Sequence, residues 1–245
     1  MKLITRTQLG WPASAAPTQT STKGVKVHYE GTGVSAALLK DHAKCLVEWQ
    51  AIRKSHLANP TEHYADIAYN YGACPHGYLL EGRGIGKRTG ADGNQPLNVA
   101  HYAIVGLVGD EGLTEPTDAM LGAIRNGIEL LRQHGAGDEI KGHRDGYATE
   151  CPGGPLYAWV KKGAPRPKGT EPATPPAKTY EPFPGASWFS VGRTSPIVGR
   201  MHDRLVAEGC GKYQSSANKN TIGSGDVASY EAWQRKLKYT GSAAT

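Results

Sequence analysis

No stretch of this chain comes near the ~18 consecutive apolar residues that a bilayer-crossing helix needs, so no membrane span is expected. The N-terminus, MKLITRTQLGWPASAAP, has one lysine and no continuous apolar run. Despite its small residues from Ala13 to Ala16, it does not read as a secretory signal peptide. Runs of basic residues are missing too, and Lys161-Lys162 is one of a few isolated basic pairs. The formal net charge of +6 favours an anionic partner, and bacterial walls and nucleic acids are both anionic. Without clustered Lys and Arg, nucleic acid is not the expected one. Only four cysteines occur, Cys45, Cys74, Cys151 and Cys210, at wide and irregular spacing. That excludes a disulfide-stapled miniprotein. There is no internal repeat.

What is present is a globular composition. The chain has 245 residues, 38% hydrophobic and 20% charged, enough for one good-sized core and a small appended domain. A Pro-rich stretch from Gly163 to Pro184, GAPRPKGTEPATPPAKTYEPFP, lacks apolar periodicity and reads as a semi-rigid linker. It divides the chain into a domain at 1–162, a linker at 163–182 and a second part at 183–245.

In the first part, Val25 and Val27 flank Lys26 and lead to His28 in a short alternating strand. Leu39, Leu46, Trp49 and Ile52 mark one helical face over 35–57. Ile67, Tyr69 and Tyr71 alternate into a turn at Pro75-His76-Gly77, and Tyr78-Leu79-Leu80 then completes a hairpin. A third, buried strand runs through Ala103-Ile104-Val105 and Leu107-Val108. Leu121, Ile124, Ile128 and Leu131 predict a helix over 117–134, with Pro116 in its first turn and Gly135 at its end. A closing helix with a proline at its start fits 155–162. The expected class is α/β, a mixed central sheet flanked by helices. The second part adds a small helical segment, with stripes Ile197/Met201/Leu205 and Val227/Tyr230/Trp233/Leu237.

Chemistry concentrates in two places. Gly142-His143-Arg144-Asp145 lies eight residues before Cys151-Pro152-Gly153. Imidazole and thiolate are both good zinc ligands, and a catalytic zinc takes three protein ligands with one position left open. His28, at the end of a strand, is the candidate third ligand. Taken singly, each residue is as well explained as a surface histidine or an inert buried cysteine.

The motifs VHYEG at 27–31, DIAYNY at 66–71, GHRD at 142–145 and TECPG at 149–153 occur together and in order. In these the chain resembles the type-2 N-acetylmuramoyl-L-alanine amidase and peptidoglycan recognition protein family, over about residues 1–162. The resemblance implies a zinc-dependent enzyme that cuts the amide bond between N-acetylmuramic acid and L-alanine in bacterial peptidoglycan. It places the zinc ligands at His28, His143 and Cys151, and the catalytic residues at Tyr69 and Thr149. Many members carry a second histidine where this chain has Tyr29. Some members of the broader family use a glutamate on a central strand as base, but Ile104 to Val108 contains none, which favours the tyrosine version. Members often carry a disulfide near Cys45 and Cys74, and a bridge between these two and a pair of reduced thiols both stay open. Cys210 is read as buried beside the helix of 195–209. His42, His56, His63, His76, His101, His134 and His202 are read as structural or surface. Tyr29, Arg83 and residues 84–98 are candidates to line the substrate groove.

In FPGASWF at 183–189, LVAEGCGKY at 205–213 and YEAWQRKLKYTGSAA at 230–244, the second part is similar to peptidoglycan-binding domains of endolysins, cut short of a last helix. The implied protein is an endolysin-type monomer, made in a host cytoplasm and released at lysis to act on the cell wall. Its rivals are a recognition protein that binds peptidoglycan without cutting it, and a zinc peptidase that cuts the stem peptide.

Overall fold

The computed structural model describes residues 1–170 and 184–239. The chain divides into two compact units, Met1–Lys178 and Thr179–Thr245. Residues 171–182 of the expected linker, Phe183, and residues 240–245 of the expected wall-binding motif lie outside the described residues. Residues 163–170 lie against the first unit. There Ala164 is fully buried, and Arg166 pairs with Glu129 at 2.7 Å.

The first unit runs β1 (Lys2–Ile4), β2 (Thr22–Tyr29), β3 (Gly33–Val34), α1 (His42–Ala58), β4 (Tyr71–Ala73), β5 (Tyr78–Glu81), α2 (Gln95–Ala100), β6 (His101–Gly106), β7 (Glu111–Gly112), α3 (Asp118–Arg132), β8 (Ala136–Gly142) and α4 (Gly154–Lys161). Six strands form one sheet in the order β1-β5-β4-β6-β2-β8, and β3 pairs with β7 separately. Only β4 and β5 run antiparallel; the other neighbours in the sheet are parallel. This is the mixed α/β sheet expected, and the turn at Pro75-His76-Gly77 closes the expected hairpin.

Helices cover both faces. On α3, Met120, Ile124, Ile128 and Leu131 are buried against the sheet, while Leu121 is half-buried. Gly127 permits the close approach, since a Cβ there would lie 2.8 Å from Ile104 Cδ1. The helix is capped by Thr117, whose Oγ1 accepts from Met120 N at 3.1 Å, so Pro116 falls outside its first turn. On the opposite face α1 lays Trp49 over β4, where only a glycine fits: a Cβ on Gly72 would lie 2.7 Å from the indole. Leu39 does not join this face. It sits 44% exposed in a single 3-10 turn, and Leu38 is buried in its place.

The expected alternation of β2 fails for a physical reason. The strand lies between β6 and β8 and is covered on both sides, as internal parallel strands are. Val25, Lys26, Val27 and His28 are all buried.

The N-terminal segment is held by Asp66, which is 1% exposed. Its carboxylate pairs with Arg6 Nη2 at 2.9 Å and Arg53 Nε at 2.8 Å. Burial alone would push this carboxyl up, but hydrogen bonds from Arg53, Ser14 and the Ile67 amide outweigh it and hold it below its usual value. Asp66→Ala is expected to destabilise the first unit by about 3 kcal/mol, because it strands the buried Arg6 guanidinium and frees the half-buried Arg53. A depressed carboxyl contributes stability that is present above the unfolded pKa and lost as pH falls through the folded one. The wild type should therefore lose stability below about pH 4, and the variant less over that window. Urea unfolding across pH measures both effects.

The second unit carries α5 (Pro196–Ala207) and α6 (Ser224–Lys236). Its buried α5 face is Val198, Gly199, His202 and Leu205, one position round from the stripe expected through Ile197 and Met201. On α6 the buried residues are Asp226 and Ser229, and Tyr230 and Leu237 stay exposed. Cys210 is buried after α5. Among the described residues, no helix is long and apolar enough to cross a membrane.

Candidate metal centre

Three segments meet at the C-terminal end of β2. His28 comes from the strand itself. His143 comes from the turn that follows β8, the neighbouring strand, and Cys151 from the loop before α4. Their ligand atoms all lie within 4.8 Å of one another. Cys151 Sγ is 3.6 Å from His28 Nδ1, and the two imidazole centroids are 4.6 Å apart.

Local chemistry explains why the loop holds this shape. Asp145 folds back so that its carboxylate accepts from Gly142 N at 2.7 Å and from the Tyr157 hydroxyl at 2.6 Å. Gly142 is required by close packing: a Cβ would lie 2.8 Å from the Tyr157 ring and 2.9 Å from Pro152. Thr149 Oγ1 accepts from Cys151 N at 3.2 Å, and Arg144 N donates to Cys151 O at 3.0 Å. Tyr29, in place of a second histidine, packs its ring against Gly153.

Asp92 lies in the 84–98 stretch expected at the substrate groove, but no motif marks it as a partner of His28. This residue is fully buried, and His28 Nε2 lies 3.0 Å from its Oδ1. The pairing orients the ring: Nε2–H donates to the carboxylate, which turns Nδ1 toward Cys151. Asp92 is itself held by Asn98, whose Oδ1 accepts from the Asp92 amide at 2.9 Å. Burial alone would push His28 down, but the bonds to Asp92 and Cys151 outweigh it and raise it to about 9. His143 goes the other way, down to about 4, through burial and then repulsion by His28.

This donor set fits zinc. Zn–S and Zn–N bonds of about 2.3 and 2.1 Å at a tetrahedral angle separate sulfur from nitrogen by about 3.6 Å, which matches the Cys151–His28 distance. His143 Nε2 is buried and has no hydrogen-bond partner among the described residues, an expense that a ligand would offset.

Tyr69 stands beside the cluster, its ring 5.5 Å from His28 and 5.7 Å from His56. Burial, with Cys151 next, pushes its hydroxyl well above the ordinary tyrosine value, so the hydroxyl keeps its proton and is a donor at neutral pH. His56 is more than a surface residue. Its Nδ1 accepts from Ala68 N at 3.1 Å, which steadies the segment before Tyr69. Arg83 does not line a groove. It is buried, and its guanidinium donates to the carbonyls of Ile67, Asp66 and Arg88, so it braces the same segment from inside.

The fold of the first unit is that of solved peptidoglycan recognition proteins. Drosophila peptidoglycan recognition protein LB aligns with it at a TM-score of 0.56 and 24% identity, over 65% of this chain and 92% of that one. The ectodomain complex of peptidoglycan recognition proteins LCa and LCx, solved with bound tracheal cytotoxin, aligns at a TM-score of 0.56 and 21% identity, over 66% of this chain and 96% of that one. In sequence, the chain is similar to N-acetylmuramoyl-L-alanine amidases. It is 29% identical to the Sus scrofa protein over 182 residues, 65% of this chain. It is 29% identical to the Homo sapiens protein over 141 residues, 54% of this chain. The matches span 29% and 22% of those two relatives' own lengths. No protein-family profile matches the chain. The family resemblance carried by the four motifs is thus borne out by the fold and by the names of the sequence relatives.

Asp92→Asn is expected to lower zinc affinity about 10- to 100-fold, because an amide no longer orients His28 as a carboxylate does. Competition with a chromophoric chelator measures this; unchanged affinity would remove Asp92 from the site.

Proposed function

We propose that this chain is a zinc-dependent N-acetylmuramoyl-L-alanine amidase that cleaves bacterial peptidoglycan between the lactyl group of muramic acid and L-alanine. The observation that carries the proposal is the convergence of His28 Nδ1, His143 and Cys151 Sγ beside a protonated tyrosine. His28, His143 and Cys151 would hold the ion. When bound, zinc supplies Lewis-acid activation of water and of the scissile carbonyl.

The protein's own groups do the rest. Asp92 locks His28 in one orientation. The Tyr69 hydroxyl, engaged by no hydrogen bond among the described residues, donates to the oxyanion that develops on the carbonyl. Thr149 Oγ accepts from the Cys151 amide, and its own proton stays free to serve as a second donor. The second unit anchors the enzyme to the wall. A cavity of about 470 Å³ there is lined by His202, Lys212, Tyr213, Asn218 and Asp226 among others, a polar and aromatic set suited to glycopeptide. The protein acts as a monomer, lysing the wall as endolysins do.

Digestion of purified peptidoglycan, with and without a zinc chelator, tests the activity. New N-terminal alanine without new reducing ends, lost on chelation and restored by zinc, is the expected result. New termini within the stem peptide would instead make it a zinc peptidase. Wall binding with no new termini would leave a recognition protein.

A further inference from the structure

A second convergence of soft ligands lies elsewhere in the first unit and shares no residue with the site above. His42 and Cys45 are three residues apart in the first turns of α1, so they project from one face of the helix. Cys74, just past the end of β4, meets them there. The ligand atoms of the three lie within 4.8 Å of one another. His42 Nδ1 is 3.5 Å from Cys74 Sγ, and the Cys45 thiol donates to Leu38 O at 3.7 Å. The histidine is not loose: its ring stacks on Tyr78 at 3.7 Å and 15°. All three groups are thus pre-oriented, which is what a metal site needs and what chance proximity rarely supplies.

We propose that His42, Cys45 and Cys74 form a second metal site, taking a thiophilic cation of the zinc class that ties α1 to the sheet. The His42–Cys74 distance matches the ~3.6 Å edge of a tetrahedral zinc site with one sulfur and one nitrogen ligand. Cys45 and Cys74 are fully buried, whereas His42 is half-buried and gives the ion a way in. Binding displaces one proton from each thiol. Two thiolates then neutralise a dication, so no net charge is left in the interior. A disulfide between the two cysteines would use only two of the three groups, and His42 Nδ1 would face a sulfur with no proton to give. The structure has both cysteines as free thiols.

The test uses the full chain, reduced with a phosphine, loaded with zinc or cobalt(II), freed of excess ion and measured for metal content. The wild type should hold a second equivalent beyond the one that Cys151→Ser removes. Cys151→Ser should keep one equivalent and the cobalt–thiolate charge-transfer absorption, and this variant reports on the second site whatever the fate of the amidase proposal. Adding Cys74→Ser to Cys151→Ser should abolish both signals. His42→Ala, at a half-buried position, should lose the second equivalent in wild-type background while circular dichroism stays unchanged. The proposal is overturned if Cys151→Ser retains no metal, if its metal survives Cys74→Ser or His42→Ala, or if Cys45 and Cys74 remain disulfide-linked by mass after the reduction and loading.

Discussion

Cys151→Ser should bring peptidoglycan hydrolysis to background and weaken zinc binding at this site by more than the ~100-fold that loss of a mere supporting residue costs. A serine hydroxyl stays protonated at neutral pH, whereas the thiol gives up its proton to the ion. The substitution is nearly isosteric and the residue is 7% exposed, so folding should survive. The backbone bonds from Arg144 N to Cys151 O and from Cys151 N to Thr149 Oγ1 do not depend on the sulfur. The check is metal content together with release of N-terminal alanine, on protein whose circular dichroism matches wild type. A variant that hydrolyses the wall at the wild-type rate would rule out Cys151 as a ligand, and with it the proposed mechanism.

Tyr69→Phe separates donor chemistry from metal binding. The ring would keep its contacts with His28 and His56, at 5.5 and 5.7 Å, so the pocket and its zinc content should be unchanged. Only the hydroxyl is lost. Removal of one oxyanion donor typically lowers kcat about 10²- to 10³-fold, because that bond is stronger in the transition state than in the ground state. The expected signature is a fall in kcat at nearly constant KM and full metal occupancy. If kcat holds and KM rises instead, Tyr69 binds substrate rather than stabilising the oxyanion. Thr149→Val, which removes the second donor, also takes away the acceptor for the Cys151 amide. Its effect would mix chemistry with loop geometry, so Tyr69→Phe is the cleaner measurement.

The two units contrast in what their helices bury. In α3 a strong apolar stripe and a Thr117 cap agree, and the sequence and the structure differ only by Pro116 and Leu121. In α5 the apolar residues are present, but Val198 and Leu205 are buried while Ile197 and Met201 are only half-buried; in α6 no apolar residue is buried. Burial there also takes in small and polar residues, Gly199, His202, Asp226 and Ser229, that no hydrophobic periodicity marks.

By itself, the sequence determined the α/β class, the hairpin around Pro75-His76-Gly77 and the helix at α3, and it singled out His28, His143 and Cys151, whose ligand atoms the fold brings within 4.8 Å of one another. Local periodicity and turn chemistry act over a few residues, and the four motifs are short. The tertiary structure alone decided the rest. β8, AGDEIKG, alternates weakly and carries three charged residues, so nothing local marks it as a strand; pairing with β2 makes it one and delivers His143 to the site. Asp92 sits in a loop 64 residues from His28, and only folding brings its carboxylate to that ring. The same holds for Cys74 beside His42 and Cys45, from segments that the chain keeps 29 and more residues apart. Arg83 shows the converse: a charged side chain expected at a groove is turned inward, because the carbonyls of Asp66, Ile67 and Arg88 needed donors that no neighbouring backbone could supply. Where a residue's partner is near in sequence, its role can be read from the chain. Where the partner is distant, the role waits on the fold that joins them.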